Sequence, residues 1–271
     1  MSAEPARRRS ALSDRVAEFF LQTTAVAEAD IRKLRHDPAE LFTRMIQPAL
    51  WLLIFGQVLA RTRAVPTGTM GYLDFIAPGI LAQSVLFVSI FYGISLIWER
   101  DLGIVHKFLV SPASRVSLVV GRGLSSGVRA SSQALVIYVL SYFLGVKLRL
   151  DPGSIAGVIV TVWLGSAIFS TFSLIVACII KTRERFMGIG QVLTMPLFFA
   201  SNAIYPLAMM PPWLKTISTM NPLSYQVDAL RALMIENSVS SFGFATDFLV
   251  QAAFLVIVIA IATRIFPTIV R

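Results

Sequence analysis

Charged positions along this chain fall in clusters, and the stretches between them are apolar over lengths that suit a single membrane-crossing helix. The first stretch runs from about Leu41 to Ala60 and the second from Phe75 to Trp98. The third runs from about Leu118 to Val146, the fourth from Pro152 to Ile180, the fifth from Phe186 to near Ile204, and the sixth from about Phe248 to Thr263. A helix needs about 20 apolar residues to cross the hydrocarbon core, and it satisfies its own backbone groups on the way. The pattern therefore predicts an all-α integral membrane protein with six transmembrane helices. The first and last stretches are short between charges, so Arg44 and Arg264 are expected to lay their stems along the helix and hold their charge at headgroup level.

The segments between crossings carry their own patterns. Residues 1–15 are polar, with Arg7, Arg8 and Arg9 together, and no compact apolar core with a cleavage site follows, so they read as a cytoplasmic start. In residues 16–36, Val16, Phe19, Phe20, Ile31 and Leu34 alternate with Glu18, Glu28, Asp30, Arg32, Lys33 and Arg35, the pattern of an amphipathic helix lying on a membrane surface. Pro38 disfavours helix at Asp37 and sets a boundary. The chain thus divides into a cytoplasmic N-terminus with an interfacial helix, 1–37, and a six-span domain, 38–271.

After the second stretch, Glu99, Arg100 and Asp101 precede the apolar Ile104, Val105, Phe108, Leu109 and Val110, and Ser111-Pro112 ends the run. This predicts a short amphipathic helix parallel to the membrane, a shape that fits a contact helix and a headgroup-covering loop equally well. Between the fifth and sixth stretches, Pro212 suits a helical first turn, and Asn221 suits an N-cap with Pro222 at the first helical position. Leu223, Val227, Leu230, Leu233 and Met234 then form an apolar stripe. Two short outer re-entrant helices, dipping into the outer leaflet, are expected here rather than a long unstructured loop.

Composition narrows the class. Hydrophobic residues make up 56% of the chain and charged residues 14%, against about 45–50% and about 25% in soluble domains. The net charge of +9 sits between apolar segments, which favours anionic headgroups over nucleic acid as the partner. With the N-terminus inside, Lys and Arg number 16 on the inner side against 6 on the outer, so both termini are expected in the cytoplasm. The single Cys178 cannot form an intrachain disulfide and reads as a small buried hydrophobe. His36 and His106 lie in different segments without partners at ligand spacing, so no metal site is expected. The chain lacks a G-x-x-x-x-G-K-[ST] loop, and the glycines at 121, 123 and 127 suit close helix packing better than phosphate binding.

Polar groups inside crossings are costly in lipid and usually face a cavity or a neighbouring helix. Gln83, Ser84, Arg129, Ser131, Ser132, Gln133, Thr171, Gln191 and Asn202 are of this kind, most of them suited to helix–helix hydrogen bonds. Gln83 and Asn202 with Phe87, Phe91 and Phe198 form the candidate lining of a path for an apolar or amphipathic substrate.

At Trp98–Arg115 a resemblance becomes specific. The segment is similar to the cytoplasmic coupling helix of type-2 ABC exporter permeases, which carry a pattern near E-R-E-x-G-T-L-E-x-L-L-V-S-P. Glu99, Arg100, Gly103, Leu109, Val110, Ser111 and Pro112 match it. Asp101 is an acidic replacement, and Ile104, Val105 and His106 depart from the Thr, Leu and second Glu of the pattern. Asn221-Pro-Leu-Ser-Tyr225, followed by Val227-Asp-Ala-Leu-Arg231, resembles the outer re-entrant segment of the same family. Gln47–Gly56 and Tyr72–Ile80 resemble its first span and the start of its second, so the likeness covers about residues 30–265. Within the family it lies nearest the daunorubicin-resistance-type drug and lipid exporter permeases.

The resemblance implies a permease subunit of an ATP-driven exporter, moving a hydrophobic or amphipathic drug or lipid out of the cytoplasm or inner leaflet of a bacterial cell membrane. A permease for lipid-linked glycan or polysaccharide is the alternative. ATP and magnesium would belong to a separate ATP-binding subunit, with no cofactor in this chain. Two protomers, alike or related, would enclose the path. Glu99, Arg100, Asp101, Gly103, Ile104, Phe108, Leu109, Ser111 and Pro112 would contact the ATPase. Asn221, Pro222, Leu223, Ser224, Tyr225, Asp228 and Arg231 would form the outer gate. Asp228 and Arg231, three apart, are expected to make an exposed pair contributing under about 1 kcal/mol. An intramembrane enzyme would need clustered catalytic His, Asp or Glu at membrane depth, which the pattern does not provide. A passive channel would need no helix in contact with an ATPase.

Overall fold

A computed structural model describes residues 21–25, 28, 32, 43, 46–62, 65–68, 70–105, 114–180 and 182–266. Most of the expected interfacial helix, and Phe108, Leu109, Ser111 and Pro112 of the expected coupling helix, lie outside the described residues.

Residues 46–50 are helical and lead into a π-helical stretch, Trp51–Gly56, which continues as α1, Gln57–Thr62. Then follow α2 (Tyr72–Asp101), α3 (Arg115–Phe143), α4 (Pro152–Ile179), α5 (Arg183–Phe199), a 3-10 turn at Leu207–Met209, α6 (Pro212–Met220), α7 (Pro222–Met234) and α8 (Phe244–Ile265). No β-strand occurs among the described residues; a single bridge joins Leu148 to Ile235.

The helix starts follow local chemistry. The Ser114 hydroxyl accepts the Ser117 N–H at 3.0 Å and caps α3. Asp151 accepts the Ser154 N–H at 2.8 Å and caps α4, with Pro152 in the first turn. That N–H and the Ser154 hydroxyl hold the Asp151 carboxyl below the usual range. Asn221 caps α7 in the same way, accepting from Leu223 N–H at 3.0 Å, with Pro222 following.

One expectation about helix ends needs correction. Glu99, Arg100 and Asp101 do not open a separate surface helix. They form the last turn of α2, which has 30 residues and is therefore about 45 Å long. The helical hydrogen bonds continue past these charges to Leu102, whose N–H reaches Trp98 O at 3.0 Å. The chain turns only at Gly103, whose φ of +72° a residue without a Cβ adopts freely. Charge ends a hydrophobic stretch in the sequence, but it does not end a helix.

Among the described residues, α2, α4 and α8 are each long and apolar enough to cross a membrane. Helix α3 has the length, at 29 residues, but contains Arg115, Arg122 and Arg129, and α5 has 17 residues. Helices α2, α3 and α4 pack together at the centre, α8 lies against α4 and α7, and α7 is wedged among α4, α8 and α2. The interior is rich in small polar groups. Ser166 Oγ lies 3.0 Å from Ser89 and 2.7 Å from Ser126, and Tyr92 Oη lies 2.8 Å from Ser125. Large apolar side chains such as Leu135, Phe143, Val192, Leu249 and Val256 point outward instead. Polar contacts inside and an apolar skin outside are the arrangement that hydrocarbon favours, because the helices gain nothing there by hiding leucine from lipid.

Candidate functional site

The side of the molecule that carries Glu99 and Arg183 is called cytoplasmic here, after the charge bias of the loops. At this end, Glu99 is buried and ion-paired with Arg122 of α3, which is also buried. Trp98, Arg100 and Asp101 sit on the neighbouring surface. Asp101 accepts from Arg100 at 2.9 Å and from Arg183, at the start of α5, at 2.8 Å. The Arg183 guanidinium lies 3.3 Å from the centroid of the Trp98 ring. The end of α2 is thus fixed to α3 by one enclosed ion pair and to α5 by one partly exposed ion pair and a stacking contact. Gly103 and Ile104 follow on the turn. Of the described residues expected to contact an ATPase, Arg100, Asp101, Gly103 and Ile104 remain at or near the surface. Glu99 faces into the bundle, a consequence of the helical register that places it opposite α3.

A tie that sequence reasoning missed joins the N-terminal segment to the same end. Gln22 Oε1 accepts from the Ser114 N–H at 3.0 Å and from the Ser117 hydroxyl at 3.2 Å. The two partners are 92 and 95 positions away, beyond the reach of any local signal.

At the opposite end, the residues expected to form an outer gate come together around α7, but inside the fold. Leu223, Ser224, Asp228 and Arg231 are buried. Asn221 Nδ2 donates to Leu197 O at 2.7 Å, tying the start of α7 to the end of α5. Ser224 and Ser218 hydroxyls lie 2.9 Å apart, and Tyr225 Oη donates to Thr219 O at 2.7 Å. The expected exposed pair of Asp228 with Arg231 is not what forms. Asp228 accepts from the N–H groups of Ser241 and Phe242 at 2.6 and 3.0 Å. Arg231 donates to Asn202 O at 2.9 Å and Phe75 O at 3.4 Å, over the Phe75 ring at 3.9 Å. In an enclosed setting each charge takes backbone partners from other elements, which satisfy it better than a neighbour one turn away. Asn221→Ala removes both a cap and the tie to α5, and is expected to cost about 1–2 kcal/mol. The thermal midpoint of the purified chain checks this.

The expected path residues divide. Gln83, Phe87 and Phe91 line one cleft of about 380 Å³ between the helical stretch at residues 46–50, α2 and α5, together with Gln47, Met187 and Gln191. Phe198 and Asn202 do not reach it. Phe198 is fully buried against Trp51 and Phe199, and Asn202 is enclosed with its carbonyl taken by Arg231. A second cavity, about 790 Å³, lies between α5 and α6 and is walled by Val192, Leu197, Tyr205, Trp213 and Ile217. Sequence reading gave no sign of it, although its walls are consecutive in the chain.

Three helices long and apolar enough to cross a membrane among the described residues, packed around buried polar contacts, define a multi-pass helical membrane protein. The family described as ABC-2 type transporter matches residues 21–235 of this chain, and the chain belongs to that family. Its curated relatives include the ycf38 transport permease of Cyanophora paradoxa, 31% identical over 81% of this chain and 77% of the relative. The daunorubicin resistance ABC transporter permease protein DrrB1 of Streptomyces coeruleorubidus is 27% identical, over 74% of this chain and 70% of that protein. The doxorubicin resistance ABC transporter permease protein DrrC of Mycobacterium tuberculosis is also 27% identical, over 83% and 80%. This chain is a multi-pass transmembrane permease of an ABC transporter, and the family places the ATPase in a separate, ATP-binding partner subunit.

Proposed function

We propose that this permease exports a hydrophobic or amphipathic small molecule, a drug or a lipid, and does so with six crossings and both termini in the cytoplasm of a bacterial cell. Two protomers enclose the path, and the ATP-binding subunit grips the end of α2 and the turn that follows it. The observation that carries the reading is the cleft of Gln83, Phe87 and Phe91. Two aromatic rings and a few amide groups at membrane depth suit a ligand that is mostly apolar with a few hydrogen-bonding atoms. A lipid-linked glycan would ask for many more polar partners along its route, so the cleft favours the amphipathic substrate. The names of the daunorubicin and doxorubicin resistance relatives support the same class.

At the cytoplasmic end, closure of the ATPase biases two permease states only through a rigid contact. The pinned end of α2 supplies stiffness, and Arg100, Asp101 and Ile104 supply the surface. The test is drug- or lipid-stimulated ATP hydrolysis by the reconstituted complex. In Phe87→Ala with Phe91→Ala, stimulation by an anthracycline or phospholipid is expected to fall about 10-fold or more, the loss of two buried aromatic contacts, while basal hydrolysis persists. Unchanged stimulation removes the cleft from the path.

A further inference from the structure

The loop after α7 folds back over the start of α8 and brings two carboxylates to one hydroxyl. Ser240 Oγ lies 2.9 Å from Asp228 Oδ2 and 2.8 Å from Asp247 Oδ2. Asp228 is 1% exposed and Asp247 0%. A serine hydroxyl has one proton to donate, so it serves one carboxylate only. The second contact, at ordinary O–H···O length, needs a proton supplied from the other side. Two ionised carboxylates facing one hydroxyl would repel strongly in a place that water does not reach. Asp228 Oδ2 already accepts from the N–H groups of Ser241 and Phe242, donors that Asp247 Oδ2 is not given. Ser240 is the one donor given to the Asp247 carboxylate among the described residues.

We propose that Asp247, Ser240 and Asp228 form a one-proton binding site, in which Asp247 donates to the Ser240 hydroxyl and that hydroxyl donates to ionised Asp228. Gln251 is an independent observation in its favour. It stands one turn along α8, is 0% exposed, and folds its amide N–H onto the Asp247 carbonyl at 3.2 Å. Its own Oε1 is left without a donor, as are Oδ1 of Asp228 and Oδ1 of Asp247. Enclosed acceptors in such excess call for a proton-bearing or positively charged guest. Among the described residues no group of three or more His, Cys, Asp and Glu side chains could hold a metal ion, so the guest proposed is a proton.

Among the described residues no cation is paired with Asp247 instead. Arg231 on α7 is engaged by Phe75 O and Asn202 O, and the Tyr225 hydroxyl by Thr219 O. On α2, Asp74 accepts the Lys147 N–H. Helix α4 carries no Asp, Glu, Lys, Arg or His, and Glu236 in the loop is exposed. The site lies just beneath the surface, since Ser241, Gly243, Phe244 and Thr246 around it are exposed. Loss of the proton sets the two carboxylates against each other across Ser240 and loosens the first turn of α8 from α7. The folded chain keeps a proton that an unfolded chain, with ordinary carboxylates near 4, releases. The stabilisation from this proton is therefore full below about pH 4 and is lost progressively as pH rises to the point of release. The site makes the fastening of the outer helices answer to the acidity on that side, whatever the transported substrate.

Infrared difference spectroscopy of the full chain in lipid nanodiscs tests this. At about pH 7, where an ordinary carboxyl is ionised, the wild-type chain is expected to show a carboxylic-acid C=O band that disappears as pH is raised. Asp247→Asn is expected to lose the band and the pH dependence of the thermal midpoint. Asp228→Asn, lacking the neighbouring charge that favours the proton, is expected to lose the band at lower pH. No acid band in the wild-type chain at neutral pH overturns the proposal without any variant. A band that survives in Asp247→Asn overturns it too, as does a thermal midpoint raised by sodium or calcium ions but not by acid.

Discussion

Glu99→Ala is expected to destabilise the isolated permease by about 3–5 kcal/mol, because it takes the Glu99 carboxylate away from the buried Arg122 guanidinium. Removing both charges with groups of similar volume, Glu99→Leu with Arg122→Met, is expected to recover most of that loss. A double-mutant cycle on thermal or denaturant stability separates the two outcomes. The distinction matters for mechanism. A Glu99 that touched the ATPase would leave the isolated permease as stable as before and weaken only the complex. A Glu99 that locks α2 to α3 weakens the permease itself, and it uncouples hydrolysis from transport by letting the end of α2 move alone. The nearby pair of Asp101 with Arg183 is partly exposed, and its loss is expected to cost under about 1 kcal/mol. The contrast between the two positions is part of the expected result.

The second large effect belongs to Gly79, in the second turn or so of α2. A Cβ placed there would meet the backbone of Ala203, including its carbonyl. Backbone cannot rotate aside as a side chain can. Gly79→Ala is therefore expected to cost about 1–3 kcal/mol, and Gly79→Val more. The damage spreads because Ala203 adjoins Asn202 and Ile204, whose carbonyls accept from Arg231 and Tyr72. Forcing α2 away from this loop opens the support of α7 from below. The expected observation is a lowered thermal midpoint and faster proteolysis at exposed positions between α5 and α7, with Gly123→Ala as a milder comparison, since a Cβ at Gly123 meets only ordinary contacts with Ala167.

Much of the helical order was legible because the signals are local. Asn221 and Pro222 start α7 where capping chemistry placed them, and Pro152 starts α4. The apolar stretches became helices because a chain in lipid has no other way to satisfy its backbone there. The surroundings of α7 were not legible. Its apolar stripe of Leu223, Val227 and Leu230 predicted one covered face, and the face bearing Asp228 and Arg231 was expected to hold an exposed pair. That face is covered as well, by carbonyls and N–H groups from Phe75, Asn202, Ser241 and Phe242. Periodicity reports how polar a face is, and polarity stops reporting exposure once the interior holds hydrogen bonds and the exterior is hydrocarbon. The same inversion hid the Glu99–Arg122 pair, since two charges at the rim of a crossing look solvated until the helices that enclose them are placed. The candidate path was half legible for a similar reason. Gln83, Phe87 and Phe91 share one face of one helix, whereas Phe198 lies in the last turn of α5 and Asn202 in the turn beyond it.

The central claim is that the cytoplasmic end of α2 carries the motion of a nucleotide-driven subunit into the membrane. Leu102, just past that end and 67% exposed, is the position to examine, and the native Cys178 is buried and leaves little background. In the assembled transporter, Leu102→Cys bearing a short bifunctional reagent is expected to cross-link to the ATP-binding subunit, with a yield that changes when ATP is trapped. Labelling of Leu102→Cys by a membrane-impermeant thiol reagent added outside intact cells, with no cross-link to the ATP-binding subunit in any nucleotide state, would contradict it.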